Sequence, residues 1–135
     1  MNYIRYKTTG QIVGTIKCDP STIALHLLNS SDAVIEGDTD PLNTYIADVN
    51  NPIVTLKPPS TVALDKPTVT ANGVDAVTLT NIPPNSILLV KGNGVDIREA
   101  VALSTKSITF DLPGTYFLTV KGFPYLNFEA IVNAT

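Results

Sequence analysis

Short alternating segments separated by turn residues recur throughout the chain beyond Pro58-Pro59-Ser60, and this spacing constrains the fold more than any other feature. Side chains of a strand alternate between its two faces, so each segment predicts a strand with one apolar face. Short strands at such a spacing are typical of a β-sandwich. The predicted strands are 68–71, 76–80, 86–91, 107–111, 115–121 and 128–133, with a weaker one between Val95 and Leu103.

The prolines of Pro58-Pro59-Ser60 predict a domain boundary, because proline cannot continue a central strand. We therefore expect an all-β chain, with a small N-terminal β docking region over 1–58 and an immunoglobulin-like β-sandwich over 59–135. In the first region, alternating runs at 3–7 and 11–17 flank Thr9-Gly10, which predicts a hairpin. Further short strands are predicted near 33–36, 44–49 and 53–57.

Residues 18–31 are ambiguous in the sequence. Asp19 is a good helix cap and Pro20 suits a first helical position, which favours one short helix ending near Asn29. The β-branched Thr22 and Ile23 favour an extended segment instead. Both interpretations stay open at this point.

The segment "FDLPGTYFLTV" at 110–120 predicts a corner between two sheets. Alternation places Ile108, Phe110 and Leu112 on one face before the turn. It places Tyr116, Leu118 and Val120 on the core face after the turn. Pro113 and Gly114 let the chain cross, and the hydroxyl of Tyr116 can then bond to backbone at the crossing, as in a tyrosine corner. An ordinary hairpin turn with a core tyrosine is the alternative.

The run "SILLVKG" is apolar at successive positions, unlike the other predicted strands. We expect it to pair with the strand at 115–121, on which Phe117 faces outward if Tyr116 faces inward. The predicted interface residues are Leu88, Leu89, Phe117 and Ile131. An outward apolar strip of this kind has to be covered, either by the N-terminal strands or by a neighbouring subunit.

The charge of the chain argues against nucleic acid as a partner. The formal net charge is −3, and the nine Lys and Arg residues are scattered rather than gathered into a basic stripe. The start "MNYIRYKTTG" contains no apolar export segment, and "IALHLL" is far too short to span a bilayer, so no membrane insertion is expected. A single cysteine, Cys18, gives no internal disulfide.

The residues that carry chemistry do not form a recognisable catalytic set. The one histidine, His26, lies in the apolar "ALHLL" and is expected to be a packed or interface residue. Glu36, Asp38 and Asp40 suit Ca²⁺, but their spacing is not that of an EF-hand, so a solvated turn is favoured. We expect no enzyme, no catalytic residue, no metal and no cofactor.

Three segments carry a family resemblance: "FDLPGTYFLTV", "NGVDAVTLTNIPPNS" and "FPYLNFEAIVNAT". They resemble bacterial and phage immunoglobulin-like domains, in which a P-G-x-Y corner opens the penultimate strand. The whole chain also resembles small virion proteins of tailed bacteriophages, in which a β region with "IRYKTTGQIVG" and "DPLNTYIAD" precedes one such domain. This resemblance implies an assembly role and supplies no catalytic residue.

The sequence therefore predicts a structural virion protein of a tailed phage, made in the host cytoplasm and associated with the tail, baseplate or fibres. Its expected partners are other virion proteins and copies of itself. A capsid decoration protein is the alternative. A third interpretation is a carbohydrate-binding module that uses Phe123, Tyr125 and Phe128 on a host-surface glycan.

Overall fold

The computed structural model describes residues 1–27 and 31–135, and over these residues the chain is all-β except for one short helix. The chain divides into two compact units, Met1–Lys57 (unit 1) and Pro58–Thr135 (unit 2). The boundary predicted from the prolines lies one residue further along the chain.

Unit 1 holds a three-stranded sheet, in the order β2-β1-β3, and a separate two-stranded sheet. All of its pairs are antiparallel. Its strands are β1 (Asn2–Tyr6), β2 (Ile12–Lys17), β3 (Ala33–Glu36), β4 (Thr44–Ile46) and β5 (Val54–Leu56). The predicted hairpin is formed by β1 and β2, while β4 and β5 are shorter than the alternation suggested.

The core of unit 1 is small. Its buried apolar residues are Ile4, Tyr6, Ile12 and Ile46. The hairpin turn is tied to β4 because the Ile46 amide donates to the Gly10 carbonyl at 2.8 Å. A core this small gives the five strands of unit 1 limited stability of their own.

The ambiguous segment after β2 forms a 3₁₀ helix over Pro20–Leu27. Of the two interpretations the helical one is therefore correct, and Asp19 caps the helix, because its Oδ1 accepts a hydrogen bond from the Ser21 amide at 3.0 Å. The Thr22 hydroxyl donates to the Asp19 carbonyl at 2.9 Å, so this β-branched residue supports the tight first turn. The end predicted near Asn29 lies outside the described residues.

Unit 2 consists of a three-stranded sheet, in the order β11-β8-β6, and a five-stranded sheet, in the order β10-β9-β12-β13-β7. Every pair is antiparallel except β13 with β7, which is parallel. The strands are β6 (Ala63–Leu64), β7 (Thr68–Val69), β8 (Ala76–Thr80), β9 (Ser86–Gly92), β10 (Val95–Val101), β11 (Lys106–Thr109), β12 (Gly114–Lys121) and β13 (Phe128–Ala134).

The two sheets of unit 2 enclose one shared core, so the unit is a β-sandwich. Val77 and Leu79 contribute from the three-stranded sheet, and Leu118, Val120 and Val132 from the other; each is at most 2% exposed. The consecutive strands β9 and β10, and likewise β12 and β13, pair within the five-stranded sheet, whereas β6, β8 and β11 form the sheet packed against it.

Unit 2 differs from the sequence prediction in several details, and two of them concern its strands and turns. β6 was not predicted, because two residues are too few to show an alternating pattern. The tetrapeptide "NGVD" occurs twice, at 72–75 and 93–96, and its Asn-Gly pair predicts a hairpin-type turn at both places. Only one of the two turns closes a hairpin. Asn93-Gly94 joins the paired strands β9 and β10, whereas Asn72-Gly73 joins β7 to β8, which lie in different sheets.

We expect unit 2 to fold without unit 1. The fragment Pro58–Thr135 should show one cooperative unfolding transition in urea by circular dichroism, because it contains both sheets and the core between them. It should begin at Pro58, whose carbonyl accepts a hydrogen bond from the Leu126 amide at 2.9 Å.

A shorter fragment that starts at Thr70 is the matched control. It lacks β6, β7 and the buried Val62 and Val69, so we expect it to unfold at a clearly lower urea concentration. Equal midpoints for the two fragments, or no cooperative transition for the longer one, would contradict the division into units.

Candidate functional site

The chain crosses between the two sheets of unit 2 at Pro113-Gly114. The preceding strand β11 belongs to the three-stranded sheet and β12 to the five-stranded sheet, which excludes the alternative of a simple hairpin turn. Tyr116 is 1% exposed, and its ring centroid lies 4.3 Å from that of Phe110. The Tyr116 hydroxyl donates to the Leu112 carbonyl at 2.7 Å, which is the geometry of a tyrosine corner.

The crossing is also held from the β9–β10 turn, a contact that sequence reasoning missed. The Asn93 side-chain amide donates to the Pro113 carbonyl at 2.9 Å. Gly114 has a φ of +154°, and a Cβ there would lie 3.3 Å from the Cβ of Asn93. The Asn-Gly pair predicts a turn, but nothing local in the sequence predicts what that turn contacts.

Leu112 does not lie on the core face, contrary to the sequence prediction. β11 ends at Thr109, so the alternation that buries Phe110 does not continue to Leu112. The Leu112 side chain is 56% exposed while its carbonyl accepts the Tyr116 hydroxyl. The backbone of Leu112, rather than its side chain, therefore serves the corner.

Alternation along β12 sends Phe117 to the face of the five-stranded sheet that points away from the shared core, here called the outer face. Phe117 is 54% exposed, and Ile131 on β13, directly opposite it, is 51% exposed. On the other side of β12, the half-buried Leu89 lies opposite Thr119. The structure thus brings Leu89, Phe117 and Ile131 to one face.

Leu88 does not belong to this surface, and the prediction that it is an interface residue is wrong. It is 1% exposed and lies opposite Val120, on the core side of β9. Consecutive residues of a strand point to opposite faces, so Leu88 and Leu89 cannot share one. β9 is apolar on both faces, as expected, but only its odd-numbered positions reach the outer face.

Charged side chains flank the apolar part of the outer face. Lys91 lies opposite Phe117 on β9, and Glu129 lies opposite Thr119 on β13. A shallow cleft lies on this face and is lined by Phe117, Thr119, Glu129 and Ile131. An apolar centre with a charged rim is the usual composition of a protein-binding surface.

The titratable residues considered from the sequence lie elsewhere. His26 is exposed on the 3₁₀ helix, so it is not packed in the interior, and the alternative of an interface residue stays a prediction. Asp38 accepts from the Thr39 amide and Asp40 from the Leu42 amide, both at 2.9 Å, so both carboxylates stabilise their own turn. Among the described residues, no three His, Cys, Asp or Glu side chains gather around a common point suited to a metal ion.

Asp75, directly before β8, has a lowered pKa for a structural reason. Lys66 donates to its Oδ1 at 2.7 Å, and the Thr70 amide donates to its Oδ2 at 2.9 Å. Both contacts favour the charged carboxylate, and the hydrogen bond from Lys66 is the largest cause of the lowered pKa of Asp75. The pair joins the segment before β7 to the turn after it.

The aromatic residues considered for glycan binding do not form one flat exposed surface. Phe128 is partly buried and packs against the sandwich core, and Tyr125 is half-buried. Phe123 is 38% exposed. A planar sugar-binding face requires several exposed rings side by side. Phe128 cannot contribute to such a face, because its ring packs against the core.

The outer face of unit 2 is therefore the site that the structure assembles from the sequence-predicted residues, with Phe117 and Ile131 at its centre. The 3₁₀ helix is too short to cross a bilayer, and the described part of the chain contains no helix that is long and apolar enough to do so. No protein-family model, curated protein or solved structure matches the chain at a significant level.

Proposed function

We propose that this chain is a structural protein of a tailed-phage particle, associated with the tail, and that it docks on another protein of the particle through the outer face of unit 2. The observation that carries the proposal is the pair of half-exposed apolar side chains, Phe117 and Ile131, opposite each other on two central strands. The proposal that the particle is a tailed phage rests on the sequence resemblance to small virion proteins.

The energetic support comes from the apolar surface at the centre of this face. Each Å² of apolar surface removed from water contributes about 25 cal/mol, so covering two large side chains favours association. Phe117 protrudes from β12 beside a shallow cleft, a shape that suits a central anchor residue. Lys91 and Glu129 carry opposite charges on the two sides and can orient the partner.

The partner has to offer a complementary surface, with an apolar centre to receive Phe117 and charges opposite to Lys91 and Glu129. In a particle such a surface is repeated around a symmetry axis, so one patch on the chain serves every copy. The proposed role is thus to occupy equivalent positions on a symmetric assembly.

The test of docking is the substitution Phe117→Asp. It places a charge at the centre of the proposed interface while the position stays on the outer face, so the thermal unfolding of the chain should change little. The recovery of the variant in purified particles should fall by about tenfold or more, as expected for loss of an aromatic anchor. Quantitative mass spectrometry of density-purified particles measures this recovery.

Thr115→Asp is the matched control, because Thr115 is exposed on the same face of β12 and lies opposite Asn133 rather than Ile131. Normal recovery of both variants would contradict docking through Phe117. Absence of the unsubstituted chain from particles would contradict the virion role itself. Immunogold labelling distinguishes a position on the tail from one on the capsid.

A further inference from the structure

β10 is the terminal strand of the five-stranded sheet in unit 2, and it is long for such a strand. It pairs with β9 over all seven of its residues, Val95–Val101. The strand at the opposite end of the sheet, β7, has only two residues. The five central residues of β10, from Asp96 to Ala100, are all exposed.

The turn that precedes β10 determines which of its backbone groups point away from β9. Asn93 and Gly94 have φ values of +44° and +80°, as in a type I′ turn, and Gly92 lies opposite Val95. The turn closes with a hydrogen bond between Gly92 and Val95. Hydrogen-bonded and non-hydrogen-bonded pairs alternate along an antiparallel ladder, so Ile97 bonds to β9.

It follows that the N–H and C=O groups of Asp96, Arg98 and Ala100 point away from β9. A row of such groups on a terminal strand is a template for another strand. The side chains of Asp96 and Arg98 lie on the outer face, since they are opposite Lys91 and Leu89. Ile97 lies on the core side, opposite the buried Val90.

Ile97 leaves an apolar surface at this edge. It is 46% exposed and lines an open cleft between the two sheets together with Val95, Ile108 and Leu112. A second strand placed beside β10 would cover the exposed flank of Ile97 and supply hydrogen-bond partners for the backbone groups that point away from β9.

The charged residues of β10 favour some registers over others when the β10 strands of two copies pair. In an antiparallel pair around a two-fold axis, the residue at the axis lies opposite itself. A centre at Asp96, Arg98 or Glu99 places like charges side by side, which is destabilising. A centre at Ala100 places no charged residue opposite another charged residue, so it gains no charge pair. A centre at Ile97 places Ile97 opposite Ile97 and places Asp96 opposite Arg98 twice.

We propose that two copies of the chain associate through β10, antiparallel and centred on Ile97, so that the two five-stranded sheets become one continuous sheet. Asp96 of each copy then faces Arg98 of the other on the outer face, and their outward backbone groups form the ladder. Charged residues on a terminal strand commonly prevent pairing. Here their order selects one register for a second copy of the same strand.

The test is the association of the full-length chain, measured by sedimentation velocity over a range of concentrations. The unsubstituted chain should form a dimer that weakens as salt is added. Arg98→Asp places like charges opposite each other twice, so the dissociation constant should rise by about tenfold or more. The double substitution Asp96→Arg with Arg98→Asp restores both opposite-charge pairs and should restore the dimer.

Lys121→Asp is the control, because Lys121 is exposed on the outer face of β12, away from β10. Phe117→Asp should leave the dimer intact, which separates this surface from the docking surface proposed above. A chain that stays monomeric at all concentrations overturns the proposal. So does a double variant that associates no better than Arg98→Asp, or a control that weakens the dimer equally.

Discussion

Replacement of Tyr116 by alanine is expected to lower the free energy of unfolding of unit 2 by roughly 3–5 kcal/mol, the usual cost of a large aromatic truncation in a core. The ring is 1% exposed and packs at 4.3 Å, centroid to centroid, on Phe110. Its removal leaves a cavity between the sheets and leaves the Leu112 carbonyl without its donor. Urea unfolding of the fragment Pro58–Thr135, followed by circular dichroism, measures the loss.

Tyr116→Phe separates the two contributions, because it keeps the ring and removes only the hydroxyl. We expect it to cost about 1 kcal/mol, the typical net contribution of one hydrogen bond. A cost for the alanine variant that is no larger than the cost for the phenylalanine variant would show that the ring does not support the core.

The second large effect is expected for Gly92→Ala, at the end of β9. Gly92 has a φ of +148°, and a Cβ there would lie 2.3 Å from the Thr115 carbonyl oxygen and 3.0 Å from the Tyr116 Cα. Both atoms belong to the backbone of β12, so β9 and β12 would have to separate. Backbone strain and overpacking together should cost roughly 2–5 kcal/mol in unfolding free energy.

Gly94→Ala provides the comparison, because Gly94 also has a positive φ, +80°, but a Cβ there would meet no heavy atom within 4 Å. This variant carries only the conformational cost, about 1–2 kcal/mol for a non-glycine residue in the left-handed region. Urea midpoints of the two variants should therefore differ clearly. Equal midpoints would contradict the prediction, because they would mean that β12 moves away from the added methyl group without loss of unfolding free energy.

The faces of β12 were predictable from the sequence because its alternation is unambiguous. Tyr116, Leu118 and Val120 are each at most 2% exposed, and Phe117 between them is half-exposed. β9 is different, since four consecutive apolar residues carry no alternation. The sequence could show that both faces of β9 are apolar, but not that Leu88 is the core residue.

The residues that were missed depend on contacts between distant segments. Gly92 precedes an Asn-Gly turn and looks like an ordinary turn residue, yet its close neighbour is β12. Ile97 lies in a segment that was predicted only as a weak strand, because the charges of Asp96, Arg98 and Glu99 interrupt its apolar pattern. Charged side chains are common on the terminal strand of a sheet. The sequence could not identify β10 as terminal, because the position of a strand within a sheet depends on segments far away in the chain.

The parallel pairing of β7 with β13 has a consequence for how unit 2 reaches its folded state during synthesis. Asn133 lies opposite Thr68 and Ala134 opposite Val69, so the beginning of the sandwich is hydrogen-bonded to its last strand. β13 also lies between β12 and β7 and contributes Val132, which is fully buried. The sheet therefore cannot be completed until β13 has left the ribosomal exit tunnel. Until then the nascent chain exposes the unpaired side of β12 and an open core, which is the period in which chaperone binding would protect it.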